Sequence, residues 1–155
     1  MNYPAKKNNF LLEHALLLKK SYQHLLLEDL ITDSMSDESF AEQLFHAPFA
    51  IASHDTASDP VFNYANLKAL ELFELNWQAL LLLPSRLSAE LVNQAERESL
   101  LAEVTQKGYI DHYEGIRISS TGKRFLIQNA TVWNLHDAEG TYKGQAARFE
   151  KWDFI

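Results

Sequence analysis

The 155-residue chain contains no cysteine, and this absence excludes several kinds of chemistry. Without a thiol there is no disulfide, no thiolate metal site, no cysteine nucleophile and no covalent adduct on sulfur. A chain that needs no disulfides suits a reducing compartment, so we expect a cytoplasmic protein.

Basic runs and long apolar runs are missing as well. The formal net charge is −7 and the lysines and arginines are scattered, so the chain has no electrostatic footprint for nucleic acid or for an anionic membrane surface. The leucine triplets at 16–18 and 25–27 are separated by polar residues and are too short to span a bilayer. We therefore expect neither a nucleic-acid partner nor a membrane partner.

The sequence also lacks the usual catalytic and metal-binding patterns. Its five glycines form neither a P-loop nor a dinucleotide fingerprint, and no G-x-S-x-G elbow occurs. Ser53, His54 and Asp55 are consecutive, and neighbours along a chain point in different directions, so adjacency alone forms no catalytic relay. The six histidines show neither H-x-H nor H-E-x-x-H spacing, so no metal site is predicted.

Residues 9–31 predict a long helix that Asn8 or Asn9 would cap, because the segment is free of proline and glycine and rich in helix formers. One broad stripe at helical spacing is apolar: Leu11, Leu12, Ala15, Leu18, Tyr22, Leu25, Leu26 and Leu30. Four apolar residues lie off this stripe: Leu16, Leu17, Leu27 and Ile31. They indicate cover on two sides, either by the chain's own domain or by a second subunit, and we hypothesise a homodimer through this helix.

The next segments alternate between helix and strand. Ser36 predicts the cap of a short helix that ends before Pro48, and PFAIAS predicts a buried strand after it. In DPVFNYANLKALELFEL an extended half gives way to a helical half at Asn66, which we predict to cap the helix. Asn76 predicts one more capped turn, and AERESLLAEVTQKG predicts an amphipathic helix stopped by Gly108.

Three long runs rich in aromatic and β-branched residues end the chain: YIDHYEGIRIS, RFLIQNATVWNL and TYKGQAARFEKW. The connections STGKR and HDAEGT predict hairpins, so the three strands should pair antiparallel in sequence order. The predicted fold is an α+β layout: a five-stranded antiparallel sheet with helices on one face and an N-terminal helical extension. We expect the extension to comprise residues 1–47 and the domain residues 48–155, with the extension covering the sheet's second apolar face.

This element order resembles that of PAS domains. Four segments together, SHDTASDPVFNYANLKALELFEL, LPSRLSAE, GYIDHYEGIRISSTGKRF and ATVWNLHDAEGTYKGQAARF, resemble the MEKHLA domain, a PAS-related family, in its free-standing bacterial form. The resemblance extends over about residues 10–152, although the hexapeptide that names the family is absent. Other members are plant homeodomain-leucine-zipper regulators, whose DNA-binding parts have no counterpart in this sequence.

The resemblance implies a sensory or interaction module with a small-molecule pocket. A light-sensing flavin domain that forms a cysteinyl adduct needs a cysteine, which this chain lacks. Haem-binding PAS sensors usually take an axial histidine from the helix before the last strands, and residues 93–107 contain none. Two possibilities remain. The domain holds a ligand non-covalently, such as a flavin, a carboxylate or an apolar metabolite, or it holds no ligand at all.

Seven residues are candidates for contact with such a ligand: His54, Asn63, Arg86, Phe125, Asn129, Thr131 and Trp133. His54 follows the first strand, where a histidine bonded within the core is the competing interpretation. Phe125, Asn129, Thr131 and Trp133 share one parity of a strand and would form one partly polar wall if that parity faces the helices. Arg86, in a proline-containing turn, suits a carboxylate or phosphate, or else an ion pair with Glu90.

We therefore expect a PAS-like regulatory module that binds a small ligand or a protein partner. Two alternatives stay open. One is a small α+β cone-type enzyme with His54 or Asp59 as its acid/base residue, which strand order and a perturbed pocket pKa would identify. The other is a ligand-free interaction scaffold, which the lack of an internal cavity would favour.

Overall fold

The computed structural model describes residues 2–155 as one antiparallel sheet between helices. The helices are α1 (Leu12–Leu26), α2 (Asp37–Phe45), α3 (Leu67–Phe73), α4 (Trp77–Leu80) and α5 (Leu91–Lys107). The strands are β1 (Ala50–His54), β2 (Phe62–Ala65), β3 (Tyr109–Ile118), β4 (Arg124–His136), β5 (Tyr142–Phe149) and β6 (Lys151–Phe154). Strand order is β2-β1-β5-β4-β3, so the predicted α+β class and the antiparallel order of the last strands are confirmed.

The final predicted strand is divided in the structure. The run breaks at Glu150 into β5 and β6, which both pair antiparallel with β4 along different parts of its length. The sheet therefore has six strands rather than the predicted five, and five of them form its main path.

Three side-chain caps confirm the interpretation of the turn residues. Ser36 accepts a hydrogen bond from the N–H of Ser39, and Asn76 accepts one from the N–H of Ala79. Asn66 caps α3 in the same way and is fully buried. Its Oδ1 also accepts from the N–H of Ile51, while its Nδ2 donates to the carbonyls of residues 44 and 49. Asn66 therefore joins α2, β1 and α3 at one point.

The predicted cap and length of the first helix are wrong. Asn9, Phe10 and Leu11 all have positive φ angles near 50°, so α1 begins at Leu12 without a side-chain cap. Asn8 instead accepts from the N–H of Ala5 in a short 3₁₀ turn. Leu27 takes a left-handed conformation and ends α1 at Leu26, five residues before the predicted end at position 31.

Strand β4 changes which side chains face the helices at Asn129. Asn129 and His112 both have positive φ angles, of 53° and 55°. The β3–β4 register shifts twice here, once on each side of Tyr113. Such a bulge inserts an extra residue and exchanges the two faces of the strand beyond it. The prediction that these side chains share one face of β4 is therefore wrong. Phe125 packs on Phe73 of α3, whereas Trp133 packs on Tyr22 of α1 on the other side of the sheet.

The two faces of the sheet are covered by different helices. On one face α1 lies along β4, where the rings of Tyr22 and Trp133 meet edge to face with centroids 5.0 Å apart. Ser21 Oγ fixes the same contact by accepting from the N–H of His136 and donating to its carbonyl. On the other face α5 packs on β3 and β4, and α3 packs on β1 and β2. No helix within residues 2–155 is long and apolar enough to cross a membrane.

Candidate functional site

A cavity of about 70 Å³ lies between α5 and the sheet. All five strands of the main path contribute to its wall, together with α3, α5 and the 3₁₀ turn at Ser85–Ser88. Most of the wall is apolar, with the larger side chains being Phe62, Phe73, Leu100, Leu101, Ile127, Val132 and Phe149. A smaller group is polar and consists of Ser53, His54, Ser88, Arg97, Tyr113, Arg117 and Gln145.

His54 belongs to a hydrogen-bond chain whose direction can be assigned. Arg97 Nη2 donates to Ser85 Oγ at 2.9 Å, so the Ser85 hydroxyl is free to donate to His54 Nδ1 at 2.8 Å. His54 Nε2 then carries the proton and donates to Gln145 Oε1 at 3.3 Å. Gln145 Nε2 in turn donates to the carbonyl of Leu101. In this direction the chain contains a neutral imidazole, and burial, followed by the nearby Arg97 charge, lowers the His54 pKa to about 4, which keeps the ring neutral at pH 7.

Arg117 is held at the cavity wall by Tyr113. Its Nη2 donates to the Tyr113 hydroxyl at 3.1 Å, and that hydroxyl donates to Glu96 Oε2 at 2.8 Å. Tyr113, Gly115 and Arg117 alternate along one face of β3. A Cβ on Gly115 would overlap the Tyr113 hydroxyl and contact Arg117 Nη1, so only glycine leaves room for this pair. The sequence of β3 is thus fitted to a buried guanidinium.

Arg97 and Arg117 are both buried, with exposed fractions of 8% and 7%. Within residues 2–155 neither guanidinium has a carboxylate oxygen inside 4.0 Å, although nine other ion pairs form on this chain. Burial, together with the positive charge of Arg117, lowers the Arg97 pKa to about 10. At neutral pH the cavity wall therefore carries two positive charges, which acids offset only from a distance: the charge of Glu98 acts on Arg97, and Glu96 reaches Arg117 through Tyr113.

The structure brings one of the seven predicted site residues to this cavity. His54 lines it. Asn63 lies beyond the wall and accepts a hydrogen bond from Ser53 Oγ at 2.6 Å. Arg86 is exposed and pairs with Asp59 at 3.1 Å, so the predicted pairing with Glu90 is wrong.

Glu90 pairs instead with Arg124 at 2.7 Å. The other four predicted site residues lie on β4, away from the cavity wall. Phe125 is buried in an aromatic cluster with Phe73 and Phe154. Asn129 is exposed at the bulge, where its Oδ1 lies 2.6 Å from His112 Nδ1, and Thr131 and Trp133 follow the bulge.

Sequence reasoning missed Arg97, Tyr113, Arg117 and Gln145. A signal for Arg97 was present, because it falls three and seven residues before Leu100 and Val104, on the buried stripe of α5. A cation on such a stripe points to a buried site. The alternation of Tyr113, Gly115 and Arg117 carried a weaker signal of the same kind.

The arrangement favours binding over acid/base catalysis. Both nitrogens of His54 are engaged, by Ser85 and by Gln145, and the imidazole is neutral. Asp59, the other acid/base candidate, is exposed and paired with Arg86 outside the cavity. What the cavity offers is a small apolar space with positive charge on two sides.

Comparison with known proteins gives consistent results. A family model described as "MEKHLA domain" matches residues 12–154. Among curated plant proteins, the homeobox-leucine zipper protein ATHB-9 of Arabidopsis thaliana is 27% identical over 80% of this chain and 15% of its own length. REVOLUTA of Arabidopsis thaliana is 26% identical over 89% of this chain and 17% of its own length. The chain thus spans less than a fifth of the curated relatives it matches.

Solved structures of PAS and light-oxygen-voltage domains share the fold. The PAS domain of a Colwellia psychrerythraea protein superposes with a TM-score of 0.61 at 13% identity, over 74% of this chain and 92% of that one. An RNA-binding light-oxygen-voltage receptor superposes with a TM-score of 0.63 at 16% identity, over 78% of this chain and 34% of that one. These identities are low, so the likeness shows the fold alone.

Proposed function

Because the chain belongs to the MEKHLA domain family, we propose that it is a PAS-like sensory module whose cavity binds a small molecule non-covalently. The sensory part agrees with the PAS and light-oxygen-voltage folds that superpose on it. The observation that carries the binding part is the cavity between α5 and the sheet. An apolar space with a few converging polar groups is typical of a ligand site.

The size of the cavity limits the ligand. At about 70 Å³ it is far smaller than the ~300–1,000 Å³ of pockets for drug-sized ligands. A flavin-sized molecule would require α5 or α3 to move away from the sheet. We therefore assign the site to a molecule of a few non-hydrogen atoms.

Strand β4 offers a route from the cavity to α1. Asn134 accepts a hydrogen bond from Gln145 at the cavity and donates to the carbonyl of Val104 in α5. Its neighbour Trp133 packs on Tyr22 of α1 on the other face. A ligand that shifts α5 or β5 would therefore change how α1 docks. Saturating ligand should slow or speed hydrogen exchange at Leu12–Leu26, and unchanged exchange there would contradict this route.

Native mass spectrometry of gently purified protein, followed by the same sample denatured, tests the proposal. We expect an excess mass in the native spectrum that disappears on denaturation. An apo mass under native conditions, with no stabilisation by any small molecule in a metabolite screen, would contradict ligand binding and support a ligand-free scaffold.

A homodimer through α1 is a separate proposal. Of the four side chains that motivated it, Leu17 and Ile31 pack on the chain's own core, whereas Leu27 is 87% exposed and Leu16 is half-buried. The observation in its favour is thus the exposed end of α1. Analytical ultracentrifugation tests it, and a monomer at micromolar concentration would refute it.

A further inference from the structure

We infer, resting on the proposed function, that the ligand is a short-chain carboxylate whose anionic group binds between Arg97 and Arg117. The two side chains come from different elements, α5 and β3, and both line the same cavity. Within residues 2–155 neither guanidinium has a carboxylate oxygen inside 4.0 Å, and Glu98 and Glu96 act on them only from a distance, so the site has room for a directly bound counter-ion.

The hydrogen bonds of the two arginines leave donors for a ligand. A guanidinium has five N–H donors in a fixed fork. In the described part of the chain Arg97 uses Nη2 toward Ser85, and Arg117 uses Nη1 toward the carbonyl of Ile116 and Nη2 toward Tyr113. The remaining N–H groups match the planar fork of a carboxylate, which arginine binds through two parallel hydrogen bonds.

The energetics point the same way. A buried charge without a partner opposes folding, and two like charges on one cavity oppose it further. The mutual effect is visible in this chain, because the Arg117 charge contributes to the lowered pKa of Arg97. An anion between them would remove both penalties at once. Gly115 adds to the argument, because its missing side chain is what lets Tyr113 hold Arg117 in place.

The rest of the wall selects the size and the tail of the anion. A water molecule needs at least about 10–15 Å³, so a cavity of about 70 Å³ admits a molecule of only a few non-hydrogen atoms. The apolar wall of Leu100, Ile127 and Val132 suits a short alkyl tail. The neutral His54, fixed by Ser85 and Gln145, adds no further charge. Acetate, propionate and butyrate, with about four to six non-hydrogen atoms, match this space.

Isothermal titration calorimetry at neutral pH and constant ionic strength tests the inference with these three acids and with propionamide, the neutral isostere of propionate. We expect one of the acids to bind with a Kd of about 1 mM or tighter, and propionamide to bind at least about tenfold more weakly. Arg97→Gln and Arg117→Gln should each weaken acid binding by about tenfold or more. Arg86→Gln is the matched control, because Arg86 is a paired surface arginine outside the cavity, and it should bind as the unaltered chain does.

The outcomes separate this inference from the proposed function. Equal binding of acid and amide, or unchanged acid binding in both cavity variants, would overturn the carboxylate assignment. Failure of all three acids to bind below about 10 mM would also overturn it. In each case the native mass spectrum decides the proposed function independently, because a bound mass of any chemistry keeps that function while removing this ligand class. Near-ultraviolet circular dichroism of each variant shows whether its fold is intact.

Discussion

The two faces of strand β4 are built for different purposes. Toward α1 the strand presents Trp133 and Leu135, which are completely buried, and the contact with Tyr22 is closed by ring packing. Toward α5 it presents Ile127 and Val132 to a cavity that also holds two buried guanidinium groups. The α1 face contributes stability through apolar burial, whereas the α5 face retains polar groups that oppose folding unless a ligand joins them.

The largest expected effect is on the free energy of unfolding when the packing between α1 and β4 is disrupted. Trp133→Ala should lower the free energy of unfolding by about 3–5 kcal/mol, because it removes a fully buried aromatic side chain and leaves a cavity. Urea denaturation followed by far-ultraviolet circular dichroism measures this. A loss below about 1 kcal/mol would show that α1 contributes little to the stability of the sheet.

One histidine with a lowered pKa lies on each side of the sheet, His14 on α1 and His54 at the cavity, and acid should lower the free energy of unfolding through both. Burial lowers the pKa of His14 to about 4, and His54 is lowered to about 4 as well. A histidine in the unfolded chain titrates near 6.5, so between these values the unfolded state binds more protons and stability is lost as pH falls. From pH 7.5 to pH 5, each histidine should lower the unfolding free energy by about 2 kcal/mol.

The single variants His14→Gln and His54→Gln separate the two contributions. Urea midpoints measured across this pH range should fall less steeply in each variant than in the unaltered chain. If one variant alone removes the whole pH dependence, only one face is sensitive to acid.

A smaller effect on stability is expected from disturbing the contact through which Tyr113 positions Arg117. Gly115→Ala should lower the unfolding free energy by about 1–3 kcal/mol, since the added Cβ forces Tyr113 and Arg117 to move. The same variant should weaken acid binding in calorimetry. Intact binding with reduced stability would mean that Arg117 is not part of the ligand site.

The smallest expected effect is on the unliganded stability of the cavity face. Arg97→Met removes an unpaired buried charge, so the unfolding free energy should stay unchanged or rise by about 1 kcal/mol. Arg86→Met, on the surface, should change it by less than about 0.5 kcal/mol. If Arg97→Met lowers the free energy of unfolding by more than about 2 kcal/mol, Arg97 stabilises the fold through its own contacts and is not a ligand-binding residue that opposes folding.

Local chemistry explains which parts of the fold the sequence predicts. Ser36, Asn66 and Asn76 are cap residues before apolar periodic segments, and each forms the expected side-chain bond. The predicted start of α1 was too early. The positive φ angles of Asn9, Phe10 and Leu11 delay the helix, and the residue types of this segment do not reveal them, so Asn8 resembled an N-cap. Such conformations depend on how the segment packs rather than on its own residue types.

The site was less predictable, for a specific physical reason. Simple alternation placed Trp133 on the same face as Phe125, but the bulge at Asn129 exchanges the faces, and its positive φ is a property of the paired strands. The polar groups of the cavity come from α5, β1, β3, β5 and the 3₁₀ turn at Ser85–Ser88, and only tertiary structure brings Arg97 and Arg117 to one space. Among the predicted candidates, His54 is the one that lines the cavity, and its position at the end of the first strand was enough to suggest this.

The most direct test is a two-dimensional ¹H–¹⁵N spectrum of the arginine side-chain Nε–H groups during titration with propionate. We expect the Arg97 and Arg117 resonances to shift together and to saturate with one dissociation constant, while the resonances of the surface residues Arg86 and Arg124 stay in place. Stationary resonances of the two cavity arginines at saturating propionate would contradict this expectation.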